Sequence, residues 1–414
     1  MTSTKSDAIE YAAPNATQWP AILNIVFAGI AAALQVGKAT IALPELQREF
    51  GRSLESLSWV ISAFPFVGVF SGILVGILVR RWGDRRLLCL GLMIISAASF
   101  VGAGLHNFNG LIATRFIEGL GFVIVVVAAP AILNRVVQPQ KRNLVFGIWS
   151  TFMPAGIALS MFFGPLLGGW QQSWLASAAL TLLAALLLPL TTRREATGSA
   201  ATLHIGLRQA LSRLLRSRQP GLLALIFTSY NLLFFAVMAF LPLFLMQHVG
   251  LSLASTGSIS AAIVAVNMIG NLSAGLLLSR GISTKALLTG TFIAMGLTGS
   301  GIFFSATPMN MLIPLCFLFS AISGMLPSTL LAATPMSSPE PTLIPLCLGL
   351  VMQGNYLGQV IAPIAISSIV ANAGWSAPAA MVLAAAALGI ALTLLLSTRY
   401  CPPDKTGFTA RRIR

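Results

Sequence analysis

The sequence predicts an all-α membrane protein: twelve transmembrane helices in two pseudo-symmetric six-helix halves. Three observations carry this reading. Of the 414 residues, 56% are hydrophobic and only 8% are charged, against roughly 25% charged in a soluble domain. Apolar runs of 18 or more residues recur from end to end, each long enough to cross a hydrocarbon core of about 30 Å. A transmembrane β-barrel would instead alternate over ~10-residue segments. Finally, short segments repeat at an offset of 198 or 199 residues: GRSLES at 51–56 with GLSLAS at 250–255, GILVRR at 76–81 with GLLLSR at 275–280, and Gly156, Ser160 and Pro165 with Gly354, Gly358 and Pro363. Parallel repeats of this kind are a signature of secondary transporters, with the substrate site near the membrane midplane between the halves.

The spans follow in order. Residues 1–19 are a polar tail with Asp7 and Glu10. They lack a signal-peptide pattern, so the first apolar segment is expected to stay as an anchor. The N-terminal bundle occupies 20–191, with spans near 20–44, 56–79, 87–105, 109–132, 144–168 and 173–191. A linker covers 192–220. The C-terminal bundle occupies 221–397, with spans near 221–246, 255–278, 286–306, 310–333, 343–371 and 376–397. A basic tail, 398–414, closes the chain. In the linker, Leu207, Leu211, Leu214 and Leu215 form one helical face, with Arg208, Arg213 and Arg216 off it. That pattern fits either a helix lying on the anionic inner leaflet or a solvated connector.

Basic residues orient the spans. They gather in the N-terminal tail, the loops after spans 2, 4 and 8, the linker and the C-terminal tail. Of the 25 lysines and arginines, only Lys38, Arg48, Arg52 and Arg115 fall elsewhere. Both termini are therefore expected in the cytoplasm. The net charge of +15 reflects topology and does not call for a nucleic-acid partner. The four cysteines show neither metal-type spacing nor a disulfide framework. His106, His204 and His248 are scattered, and no catalytic constellation is present. The Gly37–Lys38 pair is not a phosphate-binding loop, because Ala32 stands where the first glycine is required.

Intramembrane charges cost roughly 2.5–3.5 kcal/mol each at a helix centre, so the few present need a reason. Only three lie away from span ends: Lys38, Arg115 and Glu118. Lys38 stands six residues before Pro44, about 9 Å from the expected end of span 1, and Arg115 lies about 9 Å into span 4. Arg115 and Glu118 share a helix face at i, i+3. Two readings stand side by side. In one, Glu118 neutralises both cations and locks helix 1 to helix 4. In the other, the cluster faces a cavity with net charge +1, and Glu118 is the one membrane carboxylate able to carry a proton. The C-terminal half offers polar candidates without charge: Tyr230, Asn231, Gln353, Asn355 and Tyr356, and also Asn267, Asn271 and Gln359. Each is a substrate contact or a helix–helix hydrogen bond.

Several motifs carry a resemblance to the major facilitator superfamily, within it to the drug:proton antiporter families. GILVRRWGDRR, 76–86, resembles the family's loop signature after helix 2. Gly76, Arg81, Gly83, Arg85 and Arg86 fit it, Arg80 stands at the family's Asp position, and Asp84 at a usually basic one. In the family this loop latches the halves together. RFIEGLG, 115–121, resembles the family's helix-4 motif with Glu118 for Gln, which makes Arg115 the cavity arginine linked there to proton coupling. GPLLGG with Ser160 before it resembles the antiporter motif, placing Gly164, Pro165, Gly168 and Gly169 in a conformational role, and it is expected to face its degenerate echo in span 11. The stretch TIALPELQREFGRSLESLSWVISAF resembles the junction of helices 1 and 2 in drug:proton antiporters. Gln35 stands about where many of them carry an acid, which argues against cationic drugs.

The expectation is thus the major facilitator fold and a proton-coupled exporter of a small organic compound. The positive cluster points to an anionic, zwitterionic or neutral-polar substrate, such as a metabolite, a siderophore-like compound or a drug. Lys38, Arg115 and Gln35 are expected to hold it together with Tyr230, Asn231, Gln353, Asn355 and Tyr356; Glu118 and Arg115 are expected to couple protons. An importer of an organic anion is the alternative within transport, and a transport-inactive sensor or receptor is the alternative outside it. No enzyme activity and no cofactor beyond the proton gradient are expected. The expected setting is a bacterial inner membrane, with the lipid bilayer, protons and the substrate as partners, no nucleic acid, and a monomer.

Overall fold

A computed structural model describes residues 17–192, 207–304, 306–340 and 343–396. The N-terminal helices are α1 (Trp19–Phe50), α2 (Leu54–Trp82), α3 (Asp84–Ala103), α4 (Phe108–Val136), α5 (Arg142–Ser150), α6 (Phe152–Phe163) and α7 (Trp170–Thr191). A short helix, α8 (Leu207–Arg216), follows. The C-terminal helices are α9 (Arg218–Met238), α10 (Leu241–Phe244), α11 (Leu253–Ser279), α12 (Thr284–Phe303), α13 (Met309–Ser323), α14 (Met325–Ser337), α15 (Ile344–Ala373) and α16 (Pro378–Leu394). Among the described residues, eleven helical stretches are long and apolar enough to cross a membrane, and Pro378–Leu394 is a shorter apolar helix. The chain is an all-helical, multi-pass membrane protein.

The sequence repeat reappears as repeated local structure. Gly51 and Gly250 both end a helical stretch in the left-handed region, at φ 59° and 72°, which glycine enters without steric cost. Two residues on, Ser53 Oγ accepts from the Ser56 N–H at 3.3 Å and Ser252 Oγ from the Ser255 N–H at 3.2 Å. A hydroxyl at that place satisfies one of the free N–H groups that open a helix. Helix packing repeats as well. In the first set, α1 packs on α6 and α7, α3 on α4 and α7, and α2 on α4. In the second, α9 packs on α15 and α16, α12 on α13 and α16, and α11 on α13 and α14. The two sets meet where α2 lies along α15 and α6 along α11, with α10 against α1.

Small residues set these distances. A β-carbon at Gly119 would run into the Phe64 carbonyl, bringing α4 against α2. On Gly37 a β-carbon would stand 2.6 Å from the Ile157 oxygen, and on Gly156 2.5 Å from the Ile30 oxygen, so α1 and α6 touch backbone to backbone. Gly354 sits in the same way against Ala224 of α9. Contacts this close are how membrane helices gain packing energy where no hydrophobic drive acts between them.

Four sequence expectations change in detail. Span 1 does not end at Pro44: the helix carries the buried proline inside it and stops at Gly51, whose N–H bonds to the Gln47 carbonyl at 3.0 Å. Lys38 is therefore about 18 Å from the helix end, twice the expected depth. Span 5 is not one helix but α5, α6 and a 3-10 turn at Gly164–Leu166, where Pro165 has no N–H to continue the α ladder. The glycine–proline motif does not face its echo in span 11. It lies beside α11, the eighth span, while α15 lies beside α2. Finally, the linker helix is neither membrane-bound alone nor free. Leu214 is fully buried against Leu343, Leu346 and Cys347, and Arg213 donates to Glu340 at 2.6 Å.

Candidate functional site

The three intramembrane charges come together at the junction of α1, α3, α4 and α7. Lys38 Nζ donates to Glu118 Oε1 at 2.9 Å and to Ser99 Oγ at 2.6 Å, and lies 4.4 Å from the centre of the Trp174 ring. Ser99 Oγ in turn donates a hydrogen bond to the Trp174 carbonyl at 2.8 Å. Arg115 Nη1 donates to the other carboxylate oxygen, Glu118 Oε2. Its Nη2 donates to the Gln35 carbonyl at 2.9 Å and its Nε to the Val60 carbonyl at 2.9 Å, while the guanidinium carbon lies 4.7 Å from the Phe64 ring centre. Lys38 and Glu118 are 0% exposed and Arg115 is 1% exposed. The carboxylate thus bridges two cations, one from its own helix and one from α1.

Local sequence explains the arrangement. Residues three apart on α4 share a face, so Arg115 and Glu118 meet without help from the fold. Gly119 and Gly121 let α4 approach α2 and α3, which brings the Val60 carbonyl and Ser99 within reach. Stripping three charges of water in this way is tolerable only with close partners on every side.

The two cations face opposite ways. A small cavity between the N-terminal and C-terminal helices is lined by Val36, Ile61, Phe64, Pro65, Arg115, Phe235 and Gln359. Arg115 therefore reaches the boundary between the two sets. Lys38 instead points back into the N-terminal helices, toward α3 and α7. The expectation that Lys38 stands on the cavity wall is corrected on this point: its helix is longer than span 1, and its side chain turns to Ser99 and Trp174.

Of the other expected binding residues, Gln35 adjoins the charges through its carbonyl, and the rest lie apart from them. Gln35 donates from Nε2 to Thr181 Oγ1 at 3.4 Å, and its buried Oε1 has no hydrogen-bond partner. Asn231 joins α9 to α15 through Asn355 Oδ1 at 2.9 Å and also donates to the Phe227 carbonyl. Tyr230 is buried, stacked on Phe234 with ring centres 5.7 Å apart. Tyr356 is buried with its ring over Gly68 of α2, and the half-buried Gln353 lies near Gly72. Asn267 donates to Ser323 Oγ and the Ser320 carbonyl, and Asn271 to Asn267. These amides fill helix–helix hydrogen bonds. Gln359 is the C-terminal polar residue that shares the cavity with Arg115.

The motif residues are placed as follows. Gly83, at φ 85°, turns the chain between α2 and α3. Asp84 begins α3, where its carboxylate accepts from the Arg85 N–H at 2.6 Å and from Arg135 Nη2 at 3.0 Å. Arg85 reaches the Pro189 carbonyl at the end of α7, at 3.3 Å. These contacts tie α3 to α4 and α7. Gly76 lies in α2, and the side chains of Arg80 and Arg81 fall outside the described residues. In the span-5 motif, Gly164 faces Ile41 of α1, while Pro165 and the Met161 carbonyl meet Gly257 of α11, where a β-carbon would stand 2.7 and 2.6 Å from them. Gly168 and Gly169 form the turn before α7, both with positive φ.

Sequence reasoning missed Ser99, Trp174 and Gly257. A serine, a tryptophan and a glycine within apolar runs carry no distinguishing pattern, and only the packing reveals their partners. Among the described residues no cluster of His, Cys, Asp or Glu is able to hold a metal ion.

Comparison with known proteins follows the same lines. Residues 25–343 match the Major Facilitator Superfamily. The puromycin resistance protein pur8 of Streptomyces alboniger is 29% identical over 198 residues, covering 46% of this chain and 39% of that protein. The methyl viologen resistance protein SmvA of Salmonella typhimurium is 33% identical over 153 residues, covering 37% and 30%. The matched part of the chain thus spans about a third of the length of these relatives. The crystal structure of a bacterial homologue of the human lysosomal transporter Spinster, inward-facing and unoccupied, superposes with a TM-score of 0.72 over 92% of this chain and 97% of that one, at 18% identity. That likeness shows a shared fold.

Proposed function

The chain belongs to the Major Facilitator Superfamily, and from that premise we propose that it is a proton-coupled exporter of a small organic compound. In this reading it works by alternating access as a monomer in a bacterial inner membrane, with both termini in the cytoplasm. Twelve spans form two six-helix halves, residues 20–191 and 221–397, joined by the linker at 192–220. The repeated helix pairings and the paired Gly and Ser caps support this division. The seams between the halves, α2 with α15 and α6 with α11, are lined by Gly68, Gly72 and Gly257, a surface on which helices slide. Relatives named for resistance to puromycin and to methyl viologen favour export.

The observation that carries the proposal is Arg115. It joins a fully buried ion cluster to the cavity between the two sets of helices. A change of protonation in the Lys38–Glu118–Arg115 cluster then alters what Arg115 presents to the substrate, while the substrate in turn biases the cluster, as linkage requires. The cavity combines a cation, the Gln359 amide and the Phe64 and Phe235 rings. At about 10 Å³ the cavity holds no organic compound as it stands; once the helices part, its lining suits a neutral-polar, zwitterionic or anionic one. Gln35, Tyr230, Asn231, Gln353, Asn355 and Tyr356 shape the surrounding helices.

The test compares compounds released by cells with and without the gene, in a host stripped of its main exporters, with Glu118→Gln alongside. Everted membrane vesicles then follow uptake of the enriched compound under an imposed pH gradient. Export is expected with the wild type, and it should vanish when a protonophore collapses the gradient. Accumulation of the same compound inside intact cells, or indifference to the protonophore, would overturn the reading.

A further inference from the structure

We infer that the coupling proton is carried by Lys38, with Glu118 as its fixed counter-ion. The inference rests on the proton-coupled reading above and narrows it to one nitrogen atom.

The cluster holds two cations and one carboxylate, all at most 1% exposed, so it carries a net +1 in a place where each charge is costly. Three proton changes are conceivable. Arg115 does not deprotonate in proteins. Protonating Glu118 would take the cluster to +2 and leave both cations without a counter-charge. Releasing a proton from Lys38 takes it to neutral. Only the last change lowers the buried charge.

Hydrogen bonding points the same way. Both oxygens of Glu118 are already occupied by cationic donors, Oε1 by Lys38 and Oε2 by Arg115. A proton added to either oxygen would have to share that oxygen with a cationic donor. Lys38 has three N–H donors as an ammonium but only two acceptors at hydrogen-bond distance, Ser99 Oγ and Glu118 Oε1. Its remaining side looks onto the Trp174 ring, which favours a cation without accepting a proton. A neutral amine keeps two N–H groups for the same two acceptors, so one proton leaves without orphaning a partner. It departs to water as H⁺ when the site opens and returns from water on the other side; nothing is oxidised or reduced.

Among the described residues, the surroundings contain no competing group. Around Lys38, α3 presents Ser99, α4 presents Arg115 and Glu118, and α7 presents Trp174. Among the described residues, Glu118 and Arg115 are the charged groups that act on it, and α2, α6 and α10 bring none. Next to this site Gln35 Oε1 and Trp174 Nε1 are buried without partners. They supply an acceptor and a donor on α1 and α7 for water that enters as the helices part.

The test has two arms. In the first, the full chain is labelled with ¹⁵Nζ-lysine and placed in lipid nanodiscs. Its five lysines are Lys5, Lys38, Lys141, Lys285 and Lys405, and the Lys38 signal is the one absent from Lys38→Arg. The nitrogen is expected to pass between ammonium and amine over the pH range in which transport is proton-driven. A nitrogen that stays ammonium throughout that range overturns the proposal, and it does so without relying on transport by any variant. In the second arm, everted vesicles carrying Lys38→Arg are given the compound found in the release screen. Arginine keeps the charge and gives up no proton, so loss of uphill transport is expected, and intact pH-gradient-driven accumulation overturns the proposal. Should the wild type move no compound under a pH gradient, the exporter reading falls by itself, and the nitrogen signal alone decides whether Lys38 exchanges its proton.

Discussion

The N-terminal and C-terminal helices pair in the same pattern, yet they bury different chemistry. Where α1 and α4 hold Lys38, Arg115 and Glu118, the C-terminal helices hold amides and hydroxyls: Asn231 with Asn355, and Asn267 with Ser323. A repeat therefore fixes backbone packing without fixing what lies inside it. The charged side is poised for large electrostatic changes on gain or loss of one proton. The amide side has no charge to change, and its hydrogen bonds hold α9 to α15 and α11 to α13. On the proposed proton-coupled reading, the proton work falls to the charged side and the amide side serves as a firm reference surface.

The largest test of this contrast removes the shared carboxylate. Glu118→Gln leaves Lys38 and Arg115 buried beside each other without a counter-charge, and breaking a buried ion pair from one side costs about 3–5 kcal/mol. The purified variant should unfold at a markedly lower temperature than the wild type. Adding Lys38→Met removes one of the stranded cations, so the double variant should recover part of that loss. If Glu118→Gln unfolds at the wild-type temperature, the charges are not confined as the packing indicates, and the contrast between the halves dissolves.

A smaller effect probes what the halves share. Gly156 on α6 and Gly354 on α15 stand 198 residues apart and press on the backbones of α1 and α9 in turn. Overpacking of this kind costs roughly 1–3 kcal/mol. Gly156→Ala and Gly354→Ala should each lower the unfolding temperature, by similar amounts. A large loss from one and none from the other would show that the repeat in sequence is not a repeat in packing. Gly257→Leu separates folding from movement, because Gly257 lies on the α6–α11 seam against Pro165 and Met161. It should reduce transport more than Gly164→Leu does, since Gly164 faces the Ile41 side chain, which is able to yield.

Much of the helix layout was legible because bilayer thickness and the cost of a free backbone N–H leave few solutions. Apolar runs marked most boundaries. Pro44 misled, because a proline inside a packed membrane helix does not end it, whereas Gly51 in the left-handed region does. In the site, Arg115 and Glu118 were legible as a pair from their i, i+3 spacing. Their meeting with Lys38 was legible as a cluster, but the direction of Lys38 was not. Direction depends on which neighbour offers an acceptor, here Ser99 and the Trp174 ring, and neither has a local sequence signature. The same holds for the seam between the halves: GPLLGG announces a tight contact, but its partner Gly257 is one glycine among 37.

The smallest expected effect lies on the amide side. Asn231 Nδ2 to Asn355 Oδ1, at 2.9 Å, is a neutral hydrogen bond between buried side chains on α9 and α15. Such bonds between membrane helices average about 0.6 kcal/mol and reach about 1.7 kcal/mol at most, because the separated helices find other partners. In a cycle of Asn231→Leu, Asn355→Leu and the double variant, the coupling energy from unfolding should fall in that range, well below the loss from Glu118→Gln. Each single variant leaves one amide unpaired and costs more than the coupling itself, whereas the double variant should cost less than the two singles added together, by the amount of the coupling. The pH dependence of transport should be unchanged in all three, because no proton changes hands there. A coupling as large as that of the ion cluster, or a shifted pH profile in Asn231→Leu, would show that the C-terminal amides take part in the proton step, and the division of labour between the halves would have to be redrawn.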